Sequence, residues 1–266
     1  LNEIQESATV ALSQRAAALK RQGIDILAFG VGQPDFPTPD YILEAAQRSL
    51  RQSSHYTDVR GIPELRQAIC DDSFKRRGGI RHEPNEVVVS VGAKHALFNL
   101  ALALYDSGDE VIIPAPYWVS YPEQVRLVGA SPVIVPTSDK DNFVLQPEAL
   151  AKAISPRTKA LVLCTPSNPT GAAYTPQQLH ALAEVLRQHS FWIIVDEIYS
   201  QLVYDGFEQR SLLEIAPDLR DRLIIVDGVS KTYAMTGWRI GWMLAPTAVA
   251  KACDTLQGQA TTNPTT

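Results

Sequence analysis

The 266-residue chain has only three cysteines, Cys70, Cys164 and Cys253, and they lie far apart. An odd number of scattered cysteines argues against a disulfide framework and is typical of a reducing compartment. The sequence also lacks an apolar run long enough to span a bilayer, and no charged and then apolar leader opens it. Together these absences favour a cytoplasmic protein that does not partner with a membrane.

Positively charged residues are also fewer than negatively charged ones. There are 24 Lys and Arg against 29 Asp and Glu, which gives a formal net charge of -5 at pH 7. A nucleic-acid-binding surface needs clustered cations to neutralise phosphates, so the composition argues against nucleic acid as a partner. The one basic run, at residues 75–77, precedes two glycines. We expect this run to be the solvated end of a helix, where cations match the helix dipole.

Two kinds of site find no support in the sequence. The segment Gly30-Val31-Gly32 lacks the third glycine of a dinucleotide fingerprint, and Pro34 and Pro37 obstruct the helix that such a site needs. We therefore expect neither a dinucleotide site nor a metal site, because the histidines have no metal-ligand spacing with each other or with cysteine. The five are His55, His82, His95, His180 and His189.

From residue 86 onward, short β-rich runs alternate with amphipathic helical patterns. Strands that are apolar on both faces and separated by helices predict an α/β fold with three α/β/α layers and a mostly parallel sheet. We count seven strands, and the last is a candidate antiparallel strand because no clear helix precedes it. The predicted strands are Val87–Val91, Val111–Ile113, Val133–Val135, Ala160–Cys164, Phe191–Val195, Leu223–Val226 and Trp238–Leu244. The predicted helices are Ser7–Arg21, Asp40–Gln52, Ile62–Arg77, Lys94–Leu104, Pro147–Ile154 and Pro176–Gln188.

Polar side chains follow three of these strands. An amide, Asn168, follows one, Asp196 follows the next and Lys231 follows the third. In open α/β sheets, ligands bind beyond the carboxyl ends of the strands. A carboxylate, an amide and an amine thus meet at one edge of the sheet, and this set predicts a site there.

A fourth strand is followed by the small-residue turn Gly92-Ala93-Lys94, at which a helix begins. The free N–H groups and the positive dipole end of such a turn suit a phosphate group. An ordinary strand-to-helix turn has the same residues, so this feature alone leaves both interpretations open.

Four segments carry a family resemblance. They are residues 116–122 (PYWVSYP), 168–171 (NPTG), 196–199 (DEIY) and 230–241 (SKTYAMTGWRIG). In order and approximate spacing they resemble the signatures of class I/II aminotransferases, which are fold type I pyridoxal-phosphate (PLP) enzymes. The similarity is to bacterial aspartate aminotransferases in particular, and it extends over essentially the whole chain.

The resemblance implies pyridoxal 5'-phosphate as the cofactor. Lys231 would hold the cofactor aldehyde covalently and move the proton at the substrate Cα, and Asp196 would pair with the pyridine nitrogen. Tyr199 and Asn168 would hydrogen-bond the phenolic oxygen, and Trp118 would stack on the ring. Catalysis is thus expected from Lys231, Asp196 and Tyr199.

The resemblance also implies phosphate and substrate contacts. Arg239 would clamp the phosphate, with help from the backbone N–H groups of Ala93 and Lys94. Tyr56 would reach the phosphate in a neighbouring subunit, which implies a homodimer with shared active sites. The backbone of Gly32 would meet the substrate carboxylate. The residues that would contact the substrate are Gly32, Trp118 and Asn168.

Two departures from the family pattern matter. Gly228 stands where many members have a phosphate-binding Ser or Thr. The sequence ends at Thr266, whereas members continue into a small C-terminal domain with the arginine that binds the substrate α-carboxylate, and no residue here takes that role. We expect residues 1–34 to contribute to the small domain, 35–246 to form the large PLP-binding domain and 247–266 to start an interdomain helix.

The leading expectation is a PLP-dependent aminotransferase with a ping-pong mechanism. It would transfer an amino group between an L-amino acid, of the aspartate or glutamate type, and a 2-oxo acid. Two alternatives stay open. One is a PLP lyase or synthase, because the cofactor frame is shared between these activities. The other is a PLP-binding module with little or no activity, whether the chain is a fragment or a naturally shortened protein.

Overall fold

The protein is described by a computed structural model that covers residues 7–27, 29–30, 32–52 and 55–266. Within these residues, one sheet has seven strands, the number that the sequence predicts. The strands are β1 (Val87–Val91), β2 (Glu110–Ala115), β3 (Ser131–Pro136), β4 (Thr158–Cys164), β5 (Trp192–Asp196), β6 (Leu223–Gly228) and β7 (Ile240–Leu244).

The strand order across the sheet is β1-β7-β6-β5-β4-β2-β3. Strand β7 is antiparallel to both of its neighbours, and the remaining pairs are parallel, as expected. The predicted start of the last strand, Trp238, is wrong. Thr236–Trp238 form a 3-10 turn and Arg239 takes a left-handed conformation with φ 58°, so the extended backbone begins at Ile240.

All six predicted helices are present, and their ends differ from the predictions by at most three residues. A further helix, over residues 120–127, has no counterpart in the predictions. Its proline, Pro122, lies in the first turn, where a missing N–H costs no helical hydrogen bond. The helices are α1 (Ala8–Arg21), α2 (Asp40–Ser49), α3 (Pro63–Arg76), α4 (Ala93–Leu104), α5 (Ser120–Leu127), α6 (Pro147–Ala153), α7 (Pro176–Arg187), α8 (Leu212–Ile215), α9 (Val229–Thr232) and α10 (Thr247–Ala260).

The core lies on both faces of the sheet. Along β5, Ile193 and Val195 pack in one apolar cluster while Ile194 packs in the other. The same alternation occurs along β4, where Leu161 and Val162 belong to opposite clusters. A strand that is apolar on both faces needs a helical layer on each side, so these clusters confirm the three-layer prediction.

The topology places the carboxyl ends of several strands at one edge of the sheet. The parallel strands β1, β4, β5 and β6 all finish there, so the segments that follow them lie side by side. Because β7 is antiparallel, it begins at this edge, with Ile240 opposite Val91. Arg239 is therefore brought next to the turn that follows β1.

The expectation for the basic run at residues 75–77 is wrong in part. Lys75 is exposed, but Arg77 has only 1% of its side chain exposed and pairs with Glu197 and Asp227, both at 2.8 Å. Arg76 also pairs with Asp227, at 2.9 Å. Two acids that lie at strand ends in the interior need counter-charges, and the end of α3 supplies them.

The division of the chain at residues 34 and 246 stays a prediction. Residues 1–6, 28 and 31 of the expected N-terminal segment lie outside the described residues. In the described part of that segment, α1 has no buried residue. No described helix is both long and apolar enough to cross a membrane.

Candidate active site

A cavity of about 680 Å³ opens at the carboxyl edge of the sheet. Its wall includes residues that follow β1, β2, β4, β5 and β6, together with the turn that precedes β7. Every site residue predicted from the sequence, except Tyr56, lies on this wall. They are Gly32, Ala93, Lys94, Trp118, Asn168, Asp196, Tyr199, Lys231 and Arg239.

Lys231 reaches the cavity from the short helix α9, which begins directly after β6. Its Nζ donates a hydrogen bond to the carbonyl oxygen of Gly32 at 2.5 Å and lies 5.8 Å from the centre of the Tyr199 ring. Burial, and then the nearby guanidinium of Arg239, lower the pKa of the lysine amine. Since the uncharged amine is the nucleophile, this shift favours attack on a carbonyl carbon near neutral pH.

Asp196 is the last residue of β5 and is 4% exposed. Its Oδ2 accepts a hydrogen bond from the hydroxyl of Tyr121 at 2.7 Å, and its Oδ1 accepts one from the backbone N–H of Ile198 at 3.2 Å. Burial raises the pKa of Asp196 to about 6, and these two hydrogen bonds oppose the rise. The carboxylate is therefore mostly charged at neutral pH, and it can accept from a further donor.

Tyr199 and Asn168 lie together on the wall, and Asn168 Nδ2 donates to the tyrosine hydroxyl at 3.4 Å. Burial raises the pKa of Tyr199 to about 12, with smaller contributions from Cys164 and Asp196. The hydroxyl thus stays protonated at neutral pH and keeps a proton to donate. The pair offers a phenol and an amide to a ligand oxygen.

The turn after β1 forms an anion cradle, which we define as Gly92, Ala93, Lys94 and Arg239. No side chain caps the N-terminus of α4, so backbone N–H groups there are left for a ligand. A Cβ on Gly92, which has φ 82°, would lie 2.6 Å from Arg239 Nη2. A Cβ on Gly241 would overlap the backbone nitrogen of Ala93. Both glycines thus allow the close approach of the guanidinium and β7 to the helix N-terminus.

Trp118 lies on the cavity wall beside the cradle. The Nζ of Lys94 is 4.8 Å from the centre of the Trp118 ring, in a cation–π contact. Tyr121 meets the same ring edge-on, with 5.3 Å between ring centres and 82° between the planes. These contacts hold the indole between a cation and a buried phenol.

Tyr56 is not brought to this cavity. It is 91% exposed and lies in the segment that precedes α3. The family resemblance places Tyr56 in the site of a neighbouring subunit. The structure describes a single chain, so this placement stays a prediction.

Two contributors to the site were missed. Tyr121 lies within the segment 116–122 noted above, but no role was inferred for it, because sequence shows neither its burial nor its hydrogen bond to Asp196. Arg77 pairs with Glu197, the neighbour of Asp196 in the chain, and was interpreted as solvated. The signal that was available for Arg77 is the pair of acids, Glu197 and Asp227, that lie at the ends of apolar strand runs and need a counter-charge when buried.

Cysteines and metal ligands add nothing to the site chemistry in the described residues. The three cysteines are free, and burial raises the pKa of Cys164, the one nearest to Asp196, to about 12. No group of three or more described His, Cys, Asp or Glu side chains could hold a metal ion.

Proteins that are similar to this chain in sequence are named as aminotransferases. An aspartate aminotransferase of Geobacillus stearothermophilus is 47% identical over 97% of this chain, and an aspartate/prephenate aminotransferase of Thermus thermophilus is 48% identical over 98%. The chain spans 66% of the length of each of these relatives. The solved structure of aspartate aminotransferase from Thermus thermophilus with maleate matches with a TM-score of 0.94 and 45% identity, covering 99% of this chain and 68% of that one.

The family model for aminotransferase class I and II matches residues 24–266, which is most of the chain. The α/β fold with its seven-stranded, mostly parallel sheet agrees with this match. The chain belongs to the class I and II aminotransferase family.

Proposed function

We propose that the protein is a PLP-dependent aminotransferase that moves an amino group between an L-amino acid and a 2-oxo acid. One observation carries the proposal. The amine of Lys231, with its lowered pKa, shares a single cavity with the buried carboxylate of Asp196 and with an uncapped helix N-terminus.

The cavity fits a phosphorylated pyridine aldehyde. The anion cradle would take the phosphate, since it combines backbone N–H groups, a helix dipole and a planar guanidinium. Asp196 would take the ring nitrogen, and the hydroxyl of Tyr199 with the amide of Asn168 would take the phenolic oxygen. Trp118 would cover a ring face. A volume of about 680 Å³ leaves room for a substrate beside such a cofactor.

When bound, PLP supplies an aldehyde that links to amines and a ring that withdraws electrons from the substrate Cα. Asp196 would hold a proton at the ring nitrogen, because a buried carboxylate favours a cationic partner. Lys231 would accept the proton from the substrate Cα and return it to the former aldehyde carbon of the cofactor, which requires an amine that is uncharged near neutral pH. Tyr199 would keep a donor on the phenolic oxygen throughout.

The names of the relatives suggest the substrate. Those relatives act on aspartate, or on aspartate and prephenate, according to their names. We infer an acidic amino acid such as aspartate as the amino donor of this chain. Substrate recognition beyond the cofactor needs a cation for the α-carboxylate. Of the two cations in the anion cradle, Arg239 is assigned to the phosphate, and the amine of Lys94 lies over Trp118.

The family also suggests a second subunit. We infer a homodimer in which the exposed Tyr56 of each chain contacts the phosphate at the site of the other. Tyr56 is 91% exposed, so its side chain is free to contact a second chain.

The lysine assignment is tested by replacing Lys231 with alanine. We expect K231A to lose the mass gain that borohydride reduction of the PLP-treated protein produces, because the reacting amine is gone. The matched control is K152A, at an exposed lysine on α6, which should keep the full gain. Mass spectrometry of the intact protein and of its peptides makes the measurement.

Binding and turnover are separated by adding aspartate, together with a 2-oxo acid as the amino acceptor, to the PLP-loaded protein. A shift of the cofactor absorbance, with consumption of one 2-oxo acid per amino acid, supports amino transfer. PLP binding without that shift would leave a binding module, and loss of substrate without oxo-acid consumption would indicate a lyase. If K231A still gains the reduced mass, the assignment of Lys231 is wrong.

A further inference from the structure

Tyr121 is in direct contact with the acid at the end of β5. Its hydroxyl donates to Asp196 Oδ2 at 2.7 Å, and both residues are only 4% exposed. The other oxygen, Oδ1, accepts from the backbone N–H of Ile198 at 3.2 Å. Each carboxylate oxygen has two lone pairs, so the pair of donors fixes the plane of the carboxylate and still leaves capacity for a ligand.

The same phenol also supports the wall that faces a ligand ring. Tyr121 meets Trp118 edge-on, with ring centres 5.3 Å apart. Both aromatic rings line the cavity, together with Asp196. One side chain, near the start of α5, therefore contacts the group proposed for the edge of the cofactor ring and the group proposed for its face.

The charges around Asp196 make this hydrogen bond important. Besides burial, the carboxylates of Glu197 and Asp227 raise its pKa, although both are paired with Arg77. The thiol of Cys164 and the hydroxyl of Tyr199 stay neutral near pH 7, since each has a pKa of about 12. The cations that face the cavity belong to three side chains, Lys94, Lys231 and Arg239. Tyr121 supplies the side-chain hydrogen bond that opposes the rise in the pKa of Asp196.

We propose that Tyr121 is a positioning residue that keeps the Asp196 carboxylate charged and aimed at the ring nitrogen of the cofactor. The inference rests on the proposed function, because it assigns Tyr121 a role in the same site. Tyr121 itself transfers no proton to the substrate. It acts through Asp196, whose negative charge depends on a donor at Oδ2.

The test is the titration of Asp196 in the protein without cofactor. The carboxyl ¹³C signal of Asp196, identified by its absence in D196N, is followed against pH in the native protein and in Y121F. We expect the midpoint to rise by about one to two pH units in Y121F, since a hydrogen bond to a buried charged group is lost. The control is Y174F, which removes another buried tyrosine hydroxyl, one bonded to the N–H of Leu145, and should leave the midpoint unchanged.

The loaded enzyme gives a second measurement. In Y121F the acidic limb of the turnover profile should move to higher pH, while activity at high pH is retained. A purely structural role would lower activity at every pH and leave the limb in place. If Y121F does not fold, 2,3-difluorotyrosine at position 121 keeps the shape of the ring with a stronger donor, and the Asp196 midpoint should fall.

The two proposals fail in different ways. An Asp196 midpoint in Y121F that equals the native value overturns the role of Tyr121, even if the protein is an active aminotransferase. Native protein that gains no mass after PLP and borohydride overturns the proposed function, whatever the titration of Asp196 shows.

Discussion

Burial governs the chemistry of the individual residues on the cavity wall. It lowers the pKa of the Lys231 amine and raises the pKa of Asp196 and of Tyr199. The first shift favours the uncharged amine, and the last keeps a proton on the phenol. For Asp196, burial acts against function, because the proposed role needs a charged carboxylate.

Because burial opposes the charge on Asp196, we expect this residue to lower the free energy of unfolding at neutral pH. The pKa of Asp196 is about 6 in the folded protein against an ordinary 3.8, so between these pH values the folded state binds more protons than the unfolded state. Stability is therefore lost as pH rises through this window and stays lost above it. We expect D196N to be more stable than the native protein by about 3 kcal/mol at pH 8, an advantage that vanishes near pH 4.

Urea unfolding at pH 8 and at pH 4 measures the two free energies of unfolding. The control is D141N, which changes an exposed aspartate and should shift stability by less than about 0.5 kcal/mol at both pH values. A D196N protein that is less stable than native at pH 8 would show that Asp196 is not penalised by burial.

At the scale of secondary-structure elements, the end of α3 is tied to the ends of β5 and β6. Arg77 bridges Glu197, which follows β5, and Asp227 on β6. The hydroxyl of Ser211, before α8, donates to Glu197 at 2.5 Å and joins the same network. Since Asp196 and α9, with its lysine, adjoin these residues in the chain, the network fixes the two segments that carry the proposed catalytic groups.

Replacing Arg77 with methionine tests this tie. The substitution keeps much of the aliphatic volume but leaves two buried carboxylates with less counter-charge, so we expect a loss of about 3–5 kcal/mol in the free energy of unfolding. K75M, two residues earlier and exposed, should change it by less than about 0.5 kcal/mol. Chemical denaturation at pH 7 compares the three proteins. Equal stability of R77M and K75M would show that the ion pairs contribute nothing net.

At the scale of the whole molecule, the proposed function includes a site that two chains share. The cavity wall of one chain has no Tyr56, and that tyrosine is exposed. If each site takes its lysine from one chain and its tyrosine from the other, a variant at one residue and a variant at the other can complement each other when their chains are mixed.

Mixing Y56F with K231A should restore cofactor capture. Neither parent has an intact site, but a mixed dimer has one site with Lys231 from one chain and Tyr56 from the other. At limiting PLP we expect more borohydride-trapped cofactor after subunit exchange than in unmixed samples, because the tyrosine contact contributes about tenfold in affinity. Mixing Y56F with the double variant Y56F/K231A should give no gain. Sedimentation as a monomer, or no gain in the first mixture, would contradict the shared site.

The pattern of apolar runs was sufficient to predict the fold class and every strand, since strands buried on both faces need continuous apolar stretches. Helix ends were less accurate, as with the helix predicted to reach Gln52 and found to end at Ser49. Nine of the ten proposed site residues meet on one wall. Eight of them adjoin strand ends at one edge of the sheet, whereas Gly32 precedes every strand and is brought there by the tertiary structure.

The sequence by itself determined which chemical groups this protein has at the ends of its strands, because chain order and a parallel sheet together dictate where those ends lie. Only the tertiary structure decided which groups are buried and which pairs touch. The bond between Tyr121 and Asp196 spans 75 residues, and the pair of Arg77 and Glu197 spans 120. Such contacts depend on how helices pack across the sheet, and the local pattern of residues does not specify that packing.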